Sequence, residues 1–417
     1  MLPSHRFSPQ VEALAARLGS TLDFAAAAAL LELAVGVRMG VTTLRQRTYA
    51  AGAAALAVEA GALAQVRQDP VRAEEPPAVL QVSLDATKVP LVGGGWTDVK
   101  LAVFADLTPG PPHDDGAPVL VPQTTSYVAR WEPAAQFGQT ITLEAQRRGI
   151  DEAAVVVSPN DGAEWIQGNL DLIAPQAIRV LDFPHAVEHL GVLAALVYGE
   201  GSVEAGPWVA AQRKVLSEQG AAPFLQALAD CQARGPCPSA VVDAEGRTPQ
   251  ERLRREVAYF TSRGSQLAYP TFRQHGYPIG SGAVESGHKV VIGMRFKGAG
   301  QHWASPHLNP LLVLRCATCN DRWATTWRAA WTQQGQDARQ AHHRAQQERR
   351  AARLTLLPAL SPVPAVASPA PPPADTTSPP PGTPPSPPRP KLVVEGRPTA
   401  HHPWRQFSLH PRRRATG

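Results

Sequence analysis

The stretch Val79–Thr87 reads VLQVSLDAT, an apolar run that ends on a carboxylate. It follows a proline-rich boundary near residue 76 and predicts a buried strand that ends at Asp85. An ionised carboxylate at the end of a buried strand needs a cation, a hydrogen-bond donor or water as its partner. A carboxylate that only caps the following turn is the commoner alternative for a single residue of this kind. This strand is the first element of the predicted sheet.

The residues that follow predict an alternation of strands and helices. Strands are predicted at Val99–Leu107, within Pro118–Arg130, at Ala153–Ser158 and at Ile178–Leu181, and helices at Glu132–Arg148, at Ala163–Ala174 and from Pro184 onward. The order β-β-β-α-β-α-β-α describes a mixed sheet that begins with a hairpin meander and continues through helical crossovers. It is the order of the RNase H-like fold. We therefore expect an α/β protein with an RNase H-like mixed sheet flanked by helices.

Composition shifts divide the chain into six regions. We predict a helical N-terminal region at 1–75, a first part of the RNase H-like core at 76–190, an all-helical insertion at 191–270, a second part of the core with a basic helix at 271–355, a disordered linker at 356–390 and a basic tail at 391–417. The linker prediction rests on 15 prolines among the 33 residues from Pro358 to Pro390.

The N-terminal helices have two interpretations. The segment Val41–Arg47, with Thr43 as a cap, is suited to open the recognition helix of a DNA-binding helix-turn-helix. Plain helical packing is an equal alternative.

The charge of the chain is concentrated at its C-terminal end. The formal net charge is +5, and the last 29 residues carry seven basic residues and one acidic residue, which leaves 33 basic and 34 acidic residues in the rest. Such a tail is typical of contact with a polyanion, or else it only aids solubility. No apolar run reaches the roughly 18 residues of a membrane span, and no signal-peptide core follows Arg6. We expect a cytoplasmic protein without a membrane partner.

The four cysteines are too few for a disulfide scaffold in a chain of this length. Cys316 and Cys319 form a CxxC inside an apolar, helix-like stretch. We expect plain buried thiols, and a zinc site formed with Cys231 and Cys237 is the alternative.

Three carboxylates, considered together, predict a metal-binding site. Asp85 ends the first strand, Asp161 follows the fourth, and Glu285 lies in the first turn of a helix predicted at Val284–Gly293. In the expected fold the first and fourth strands are neighbours, so the two aspartates lie side by side and repel unless they share a cation. Oxygen ligands favour hard ions such as Mg²⁺, and two such ions clamp the attacking and leaving oxygens of a phosphoryl displacement.

The residues after Glu285 are suited to a phosphodiester. Lys289, Arg295 and Lys297 lie among glycines and predict contacts to DNA. Trp303 and Phe296 have two interpretations, as rings that stack on an exposed base or as core residues.

The ordered set of motifs resembles bacterial insertion-sequence transposases of the Kra type, relatives of the Mutator-like group. The resemblance covers about residues 76–325 and rests on SLDAT at Ser83–Thr87, DGAEWI at Asp161–Ile166, LDFPHAVEHL at Leu181–Leu190, YPIGSGAVES at Tyr277–Ser286, RFKGAG at Arg295–Gly300 with Trp303, and HPWR at His402–Arg405. One departure is Asn160, where the family more often has glycine.

The resemblance implies a mobile-element DDE transposase. Asp85, Asp161 and Glu285 would hold two Mg²⁺ ions, with Mn²⁺ able to substitute, and Asp182 and His185 would form the supporting DxxH element. The implied reaction is cleavage at the terminal inverted repeats followed by strand transfer into target DNA, a DNA recombination. The implied assembly is at least a dimer on nucleoid DNA, and we expect the tail residues Arg412, Arg413 and Arg414 to add salt-sensitive DNA affinity.

Two other functions are open at this point. A transposase-derived protein that binds DNA without cleaving it would carry the same motifs. The string HAVEH at His185–His189 is also the HxxEH pattern of inverted zinc peptidases, which would require a further acidic ligand from another helix.

Overall fold

The computed structural model describes residues 7–66, 68–112, 114, 116–238 and 241–355, and the short strands at 393–394 and 397–398. One compact unit spans Met1–Ala352 and a second spans Arg353–Gly417. The predicted linker at 356–390 lies outside the described residues. So do the tail residues Arg412, Arg413 and Arg414 and the HPWR motif.

A five-stranded mixed sheet forms the centre of the first unit. Its strands are β1 (Val79–Pro90), β2 (Trp96–Pro109), β3 (Leu120–Arg130), β4 (Val155–Asn160) and β5 (Ile178–Leu181). They lie in the order β3-β2-β1-β4-β5, with β1, β2 and β3 antiparallel and with β4 and β5 parallel to β1. The predicted α/β class and the order of its elements are confirmed.

Fourteen α-helices surround this sheet or continue the chain among the described residues. They are α1 (Pro9–Thr21), α2 (Phe24–Val35), α3 (Val41–Val66), α4 (Ala134–Arg147), α5 (Glu164–Ile173), α6 (Phe183–Tyr198), α7 (Ala205–Glu218), α8 (Ala221–Arg234), α9 (Pro249–Thr261), α10 (Tyr269–Gln274), α11 (Gly282–Gly287), α12 (Met294–Phe296), α13 (Leu308–Cys319) and α14 (Trp323–Thr355). In the second unit, β6 (Val393–Val394) pairs with β7 (Arg397–Pro398).

Alternating side chains of β2 build a core on each face of the sheet, because successive residues of a strand point to opposite sides. Ala102 and Phe104 join a cluster with α4 and α5. Leu101 and Val103 join a cluster on the other face with α11 and α13. The sheet is thus covered on both faces, and the segment that carries Glu285 is packed against one of them.

The first strand is longer than the sequence predicts. It continues five residues beyond Asp85 to Pro90, because β2 pairs with it along its whole length as the second arm of a hairpin. The pairing with β4 ends much earlier, at Gln81 opposite Val157. Asp85 therefore lies within β1, four residues beyond the last residue of β1 that pairs with β4. The prediction that Asp85 ends the strand is wrong.

The N-terminal region is helical as predicted, with one correction. Helix α3 begins at Val41, so Thr43 lies inside it and is not its cap.

Helix α3 packs closely on α13. At Gly52, a Cβ would lie 2.0 Å from the carbonyl oxygen of Pro310. By length and hydropathy, α3 is also apolar enough to cross a membrane, but its small residues Ala51, Ala54 and Ala55 are buried in a cluster shared with α13.

The predicted insertion is helical, but its first boundary is misplaced. Helix α6 runs without interruption from Phe183 to Tyr198, so a border at residue 191 divides one helix. Helices α6 to α9 share a core with β5, in which Leu190, Leu216 and Phe260 are fully buried. Farther along, the chain forms two helices, α13 and α14, because it turns between them at Asp321, with a φ of 59°.

Candidate active site at the carboxyl edge of the sheet

Asp85 and Asp161 lie at equivalent levels of two neighbouring parallel strands. The β1–β4 register pairs Val79 with Val155 and Gln81 with Val157. Continued at the same offset, it brings Asp85 level with Asp161, the first residue after β4. Both predicted carboxylates thus lie four residues beyond the last pair of the β1–β4 ladder.

Buried polar side chains occupy the gap where β1 and β4 separate. The Oδ1 atom of Asn160 accepts from the backbone N–H of Leu84 at 2.6 Å, and its Nδ2 donates to the Ser158 hydroxyl at 2.8 Å. That hydroxyl donates to the carbonyl of Val82 at 2.6 Å. The Asn160 side chain thus replaces a missing backbone hydrogen bond just before both aspartates, a role that glycine cannot fill.

Two donors hold the carboxylate of Asp85. Its Oδ1 accepts from the N–H of Ala86 at 2.7 Å, and its Oδ2 lies 3.0 Å from Nε2 of His288. His288 is largely buried, and because an ionised carboxylate only accepts hydrogen bonds, Nε2 of His288 is the donor in this contact. Each carboxylate oxygen has two lone pairs, so both keep one for a cation. Sequence reasoning missed His288, although it lies one helical turn after Glu285.

Asp161 is held by its backbone and by α9. Its Oδ1 accepts from the N–H of Ala163 at 2.9 Å, and its carbonyl accepts from the Tyr259 hydroxyl at 2.7 Å. Burial raises the pKa of Tyr259, which keeps this hydroxyl protonated as a donor. Arg263 donates to the next carbonyl, that of Gly162, through Nε and Nη2. The helical insertion therefore fixes the loop that carries Asp161.

Glu285 lies in the first turn of α11, as predicted. Its side chain is exposed, and Oε1 lies 3.4 Å from the Ser281 hydroxyl. Gly287 fits closely against β2, since a Cβ there would lie 2.9 Å from the Leu101 side chain. After α11 the helix continues as one π-helical turn from His288 to Gly293, a feature often found at functional sites.

Asp182 anchors the loop before α11. Its Oδ1 accepts from the N–H of Ser281 at 2.8 Å, and its Oδ2 caps α6 by accepting from the N–H of His185 at 3.2 Å. Burial raises the pKa of this carboxyl, and the two N–H groups lower it in part. The Phe183 N–H also donates to the carbonyl of Ile279 at 2.9 Å. Asp182 is thus a positioning residue for the segment that leads to Glu285.

The HxxEH string forms a histidine pair on α6. Nε2 of His185 lies 3.3 Å from Nε2 of His189, and Nδ1 of His189 lies 2.6 Å from Glu256 of α9. Glu188 is mostly exposed and lies 3.3 Å from Nδ1 of His185. Glu256 is an acid from another helix, as a peptidase requires. It contacts Nδ1 of His189, however, whereas Nε2 of His189 faces His185. It therefore orients His189 and does not complete a ligand set with the two Nε2 atoms.

The predicted DNA contacts divide into two groups. Lys289 and Lys297 are exposed, and Nζ of Lys297 donates to the Thr87 hydroxyl on β1 at 2.6 Å. Arg295 and Trp303 are buried, with 2% and 6% of their surface exposed, so the prediction that they contact DNA is wrong.

A cation–π arrangement explains their burial. The Arg295 guanidinium lies 4.7 Å from the ring centroids of both Phe24 and Trp303, and its Nε donates to the carbonyl of Gly19. Burial lowers the pKa of Arg295 to about 10. The indole N–H of Trp303 donates to the carbonyl of Phe296 at 3.0 Å.

The three carboxylates do not form a complete metal cage. Across the part of the chain that the structure describes, no three His, Cys, Asp or Glu side chains are close enough to hold one ion. Mg²⁺ seldom uses an all-protein cage, since it usually keeps several waters and binds one or two carboxylates together with substrate phosphates. The Asp85 and Asp161 pair, with free lone pairs and only oxygen donors, fits that mode of binding.

Two of the cysteines, Cys231 and Cys316, are buried, and Cys237 and Cys319 are partly buried. Burial raises the pKa of Cys316 to about 12. No zinc cluster occurs among the described residues.

The chain matches no protein-family model, and no curated protein matches it. The function proposed below therefore rests on the residues and on their placement in the fold.

Proposed function

We propose that this chain is a DDE-type DNA transposase that cleaves transposon ends and joins the freed 3′ ends to target DNA. The observation that carries the proposal is that Asp85 and Asp161 each lie four residues beyond the last pair of the ladder between the neighbouring parallel strands β1 and β4. We include Glu285 in the proposed site because His288, one helical turn after it, contacts Asp85. The motifs that resemble Kra-type insertion-sequence transposases fall on these same positions.

The strand order supports an RNase H-like catalytic core. A hairpin meander β1-β2-β3 lies on one side of the sheet, and two parallel strands reached through α4 and α5 lie on the other. Ligands in such sheets bind beyond the carboxyl ends of parallel strands. Asp161 follows the carboxyl end of β4, and Asp85 lies in β1 beyond the end of its pairing with β4.

Mg²⁺ would supply the charge that activates a water or a DNA 3′-hydroxyl and that stabilises the leaving oxygen. Asp85 and Asp161 would hold it from the sheet, and Glu285 would approach from α11. His288 keeps the Asp85 carboxylate in one orientation, and Asp182 fixes the loop before Glu285. No side chain in this set is required to act as a nucleophile.

The exposed cations Lys289 and Lys297 follow Glu285 on the same segment and would neutralise DNA phosphates. The proposed substrates are the terminal inverted repeats and a target duplex. Because two transposon ends must be held together, we propose that the active form on DNA is at least a dimer.

Single substitutions of the three carboxylates test this proposal. The DNA that flanks the gene provides the inverted repeats, and a duplex that carries them is the cleavage substrate. Asp85→Asn, Asp161→Asn and Glu285→Gln should each abolish cleavage in Mg²⁺ or Mn²⁺ and leave end binding largely intact. Glu152→Gln, an exposed position away from the site, should cleave as the unchanged protein does.

The outcomes separate the alternatives. Near-normal cleavage by any one of the three variants would show that the triad assignment is wrong. An unchanged protein that binds the ends but cleaves neither strand in either metal would indicate the second candidate, a silent DNA-binding protein.

A further inference from the structure

The histidine pair on α6 has the spacing of two ligands of one metal ion. Nε2 of His185 and Nε2 of His189 lie 3.3 Å apart, with the rings at 79° to each other. Two nitrogens bound to one zinc at tetrahedral angles, each about 2.0–2.1 Å from it, lie about 3.3 Å apart. Histidines four residues apart on a helix are a recurring zinc-binding arrangement.

The opposite nitrogens of both rings are already engaged by carboxylates. Nδ1 of His189 lies 2.6 Å from Glu256, and Nδ1 of His185 lies 3.3 Å from Glu188. A carboxylate that accepts from Nδ1 fixes the tautomer in which the Nε2 lone pair is free, as Glu256 does for His189. His189 is therefore oriented as a metal ligand, and its Nε2 faces that of His185.

We propose that His185 and His189 bind a divalent transition-metal ion such as Zn²⁺ or Ni²⁺. The ion is a nitrogen-preferring one, unlike the Mg²⁺ proposed for the aspartates. The two imidazoles keep 34% and 23% of their side-chain surface exposed, so an ion reaches them from solvent. Since the described residues offer no third protein ligand, water fills the remaining positions.

The site joins the insertion to the core. Tyr259 stacks on His189 with ring centroids 3.9 Å apart, and its hydroxyl donates to the carbonyl of Asp161. Glu256 lies one turn before Tyr259 on α9 and orients the same histidine. A bound ion would therefore order α6 against α9 beside the Asp161 loop. This inference does not depend on the proposed function.

Zinc titration of the full chain tests it, by calorimetry and by competition with a chromophoric chelator. The unchanged protein should bind one equivalent of Zn²⁺, and excess Mg²⁺ should not displace it. His185→Ala and His189→Ala should each remove that equivalent. Glu256→Gln should weaken binding by about 10–100-fold, the usual effect of losing a partner of a metal-bound histidine.

Two controls make the result specific. His342→Ala removes an exposed histidine of α14, and Asp85→Asn alters the aspartate pair; both should bind zinc as the unchanged protein does. His185 is partly exposed, so its replacement should leave the circular dichroism spectrum unchanged. Equal zinc binding by the unchanged protein and by a His185→Ala/His189→Ala double variant would overturn the proposal and leave the pair as two imidazoles that share a proton.

Discussion

At the scale of single residues, His288 is the neighbour that determines how Asp85 is presented. A carboxylate with one oxygen on a backbone N–H and the other on an imidazole has little freedom to rotate. Removal of the imidazole leaves Oδ2 free to turn away from the position that a cation requires. His288 thus acts through Asp85 and is a positioning residue.

We predict that His288→Ala lowers the rate of DNA cleavage about 10–100-fold and raises the Mg²⁺ concentration needed for half-maximal rate. His288→Gln, which keeps an N–H donor, should restore part of the rate and part of the Mg²⁺ affinity. Cleavage rates measured across a Mg²⁺ series check this, with His342→Ala as the control. A uniform fall in rate with an unchanged Mg²⁺ dependence would contradict the positioning role.

Some of these residues were predictable from the sequence and others were not. Asp161 follows the end of an apolar strand, and Glu285 lies in the first turn of a helix, so local sequence is enough to find both. The contact of His288 depends on which face of α11 packs on β2, and only the tertiary fold determines that. Arg295 and Trp303 show the converse, because cations and aromatic rings close in sequence suit DNA contact and a buried cation–π pair equally well.

At the scale of elements, the crossing of α3 and α13 depends on the absence of a side chain. Gly52 lies in the middle of α3, where glycine usually weakens a helix, and a Cβ there would meet the backbone of Pro310 at 2.0 Å. Backbone cannot move aside as the end of a flexible side chain does. The close approach of the two helices is therefore the reason for glycine at this position.

We predict that Gly52→Ala destabilises the protein by about 1–3 kcal/mol, the usual cost of overpacking. Gly61→Ala in the same helix is the matched control, because a Cβ there meets nothing within 4 Å. It should instead add about 0.5–1 kcal/mol through better helix propensity. Urea unfolding measures both, and a Gly52→Ala variant as stable as Gly61→Ala would show that the helices cross differently.

Element order was predictable because alternation and turn residues are local signals, whereas element ends depend on partners. Strand β1 continues to Pro90 because β2 supplies its hydrogen bonds, and neither arm alone indicates that length. Helix α6 likewise continues past residue 191 because the insertion packs on it.

At the scale of the whole molecule, the basic tail is a prediction from sequence that the described residues do not test. Residues 389–417 carry seven basic residues and one acidic residue, while the rest of the chain is close to neutral. Binding of Lys and Arg to DNA phosphates releases counterions, so each such residue contributes to the salt dependence of binding.

We predict that deletion of residues 389–417 weakens DNA binding and flattens the slope of log K against log salt by about 0.9 for each phosphate that the tail no longer neutralises. Replacement of the seven basic residues by Gln, with the length unchanged, should have the same effect. Binding titrations at several salt concentrations check this. A slope equal to that of the full chain would exclude the tail from the DNA interface.

The buried Arg295 constrains how the N-terminal region of this protein can evolve. Its guanidinium lies between Phe24 of the N-terminal helices and Trp303 of the segment after Glu285, and it also donates to Gly19. An exchange of residues 7–66 for those of another protein would remove one aromatic wall and one acceptor from a buried charge. Replacement N-terminal helices would therefore have to supply an aromatic ring and a carbonyl acceptor for Arg295, or position 295 would have to change with them.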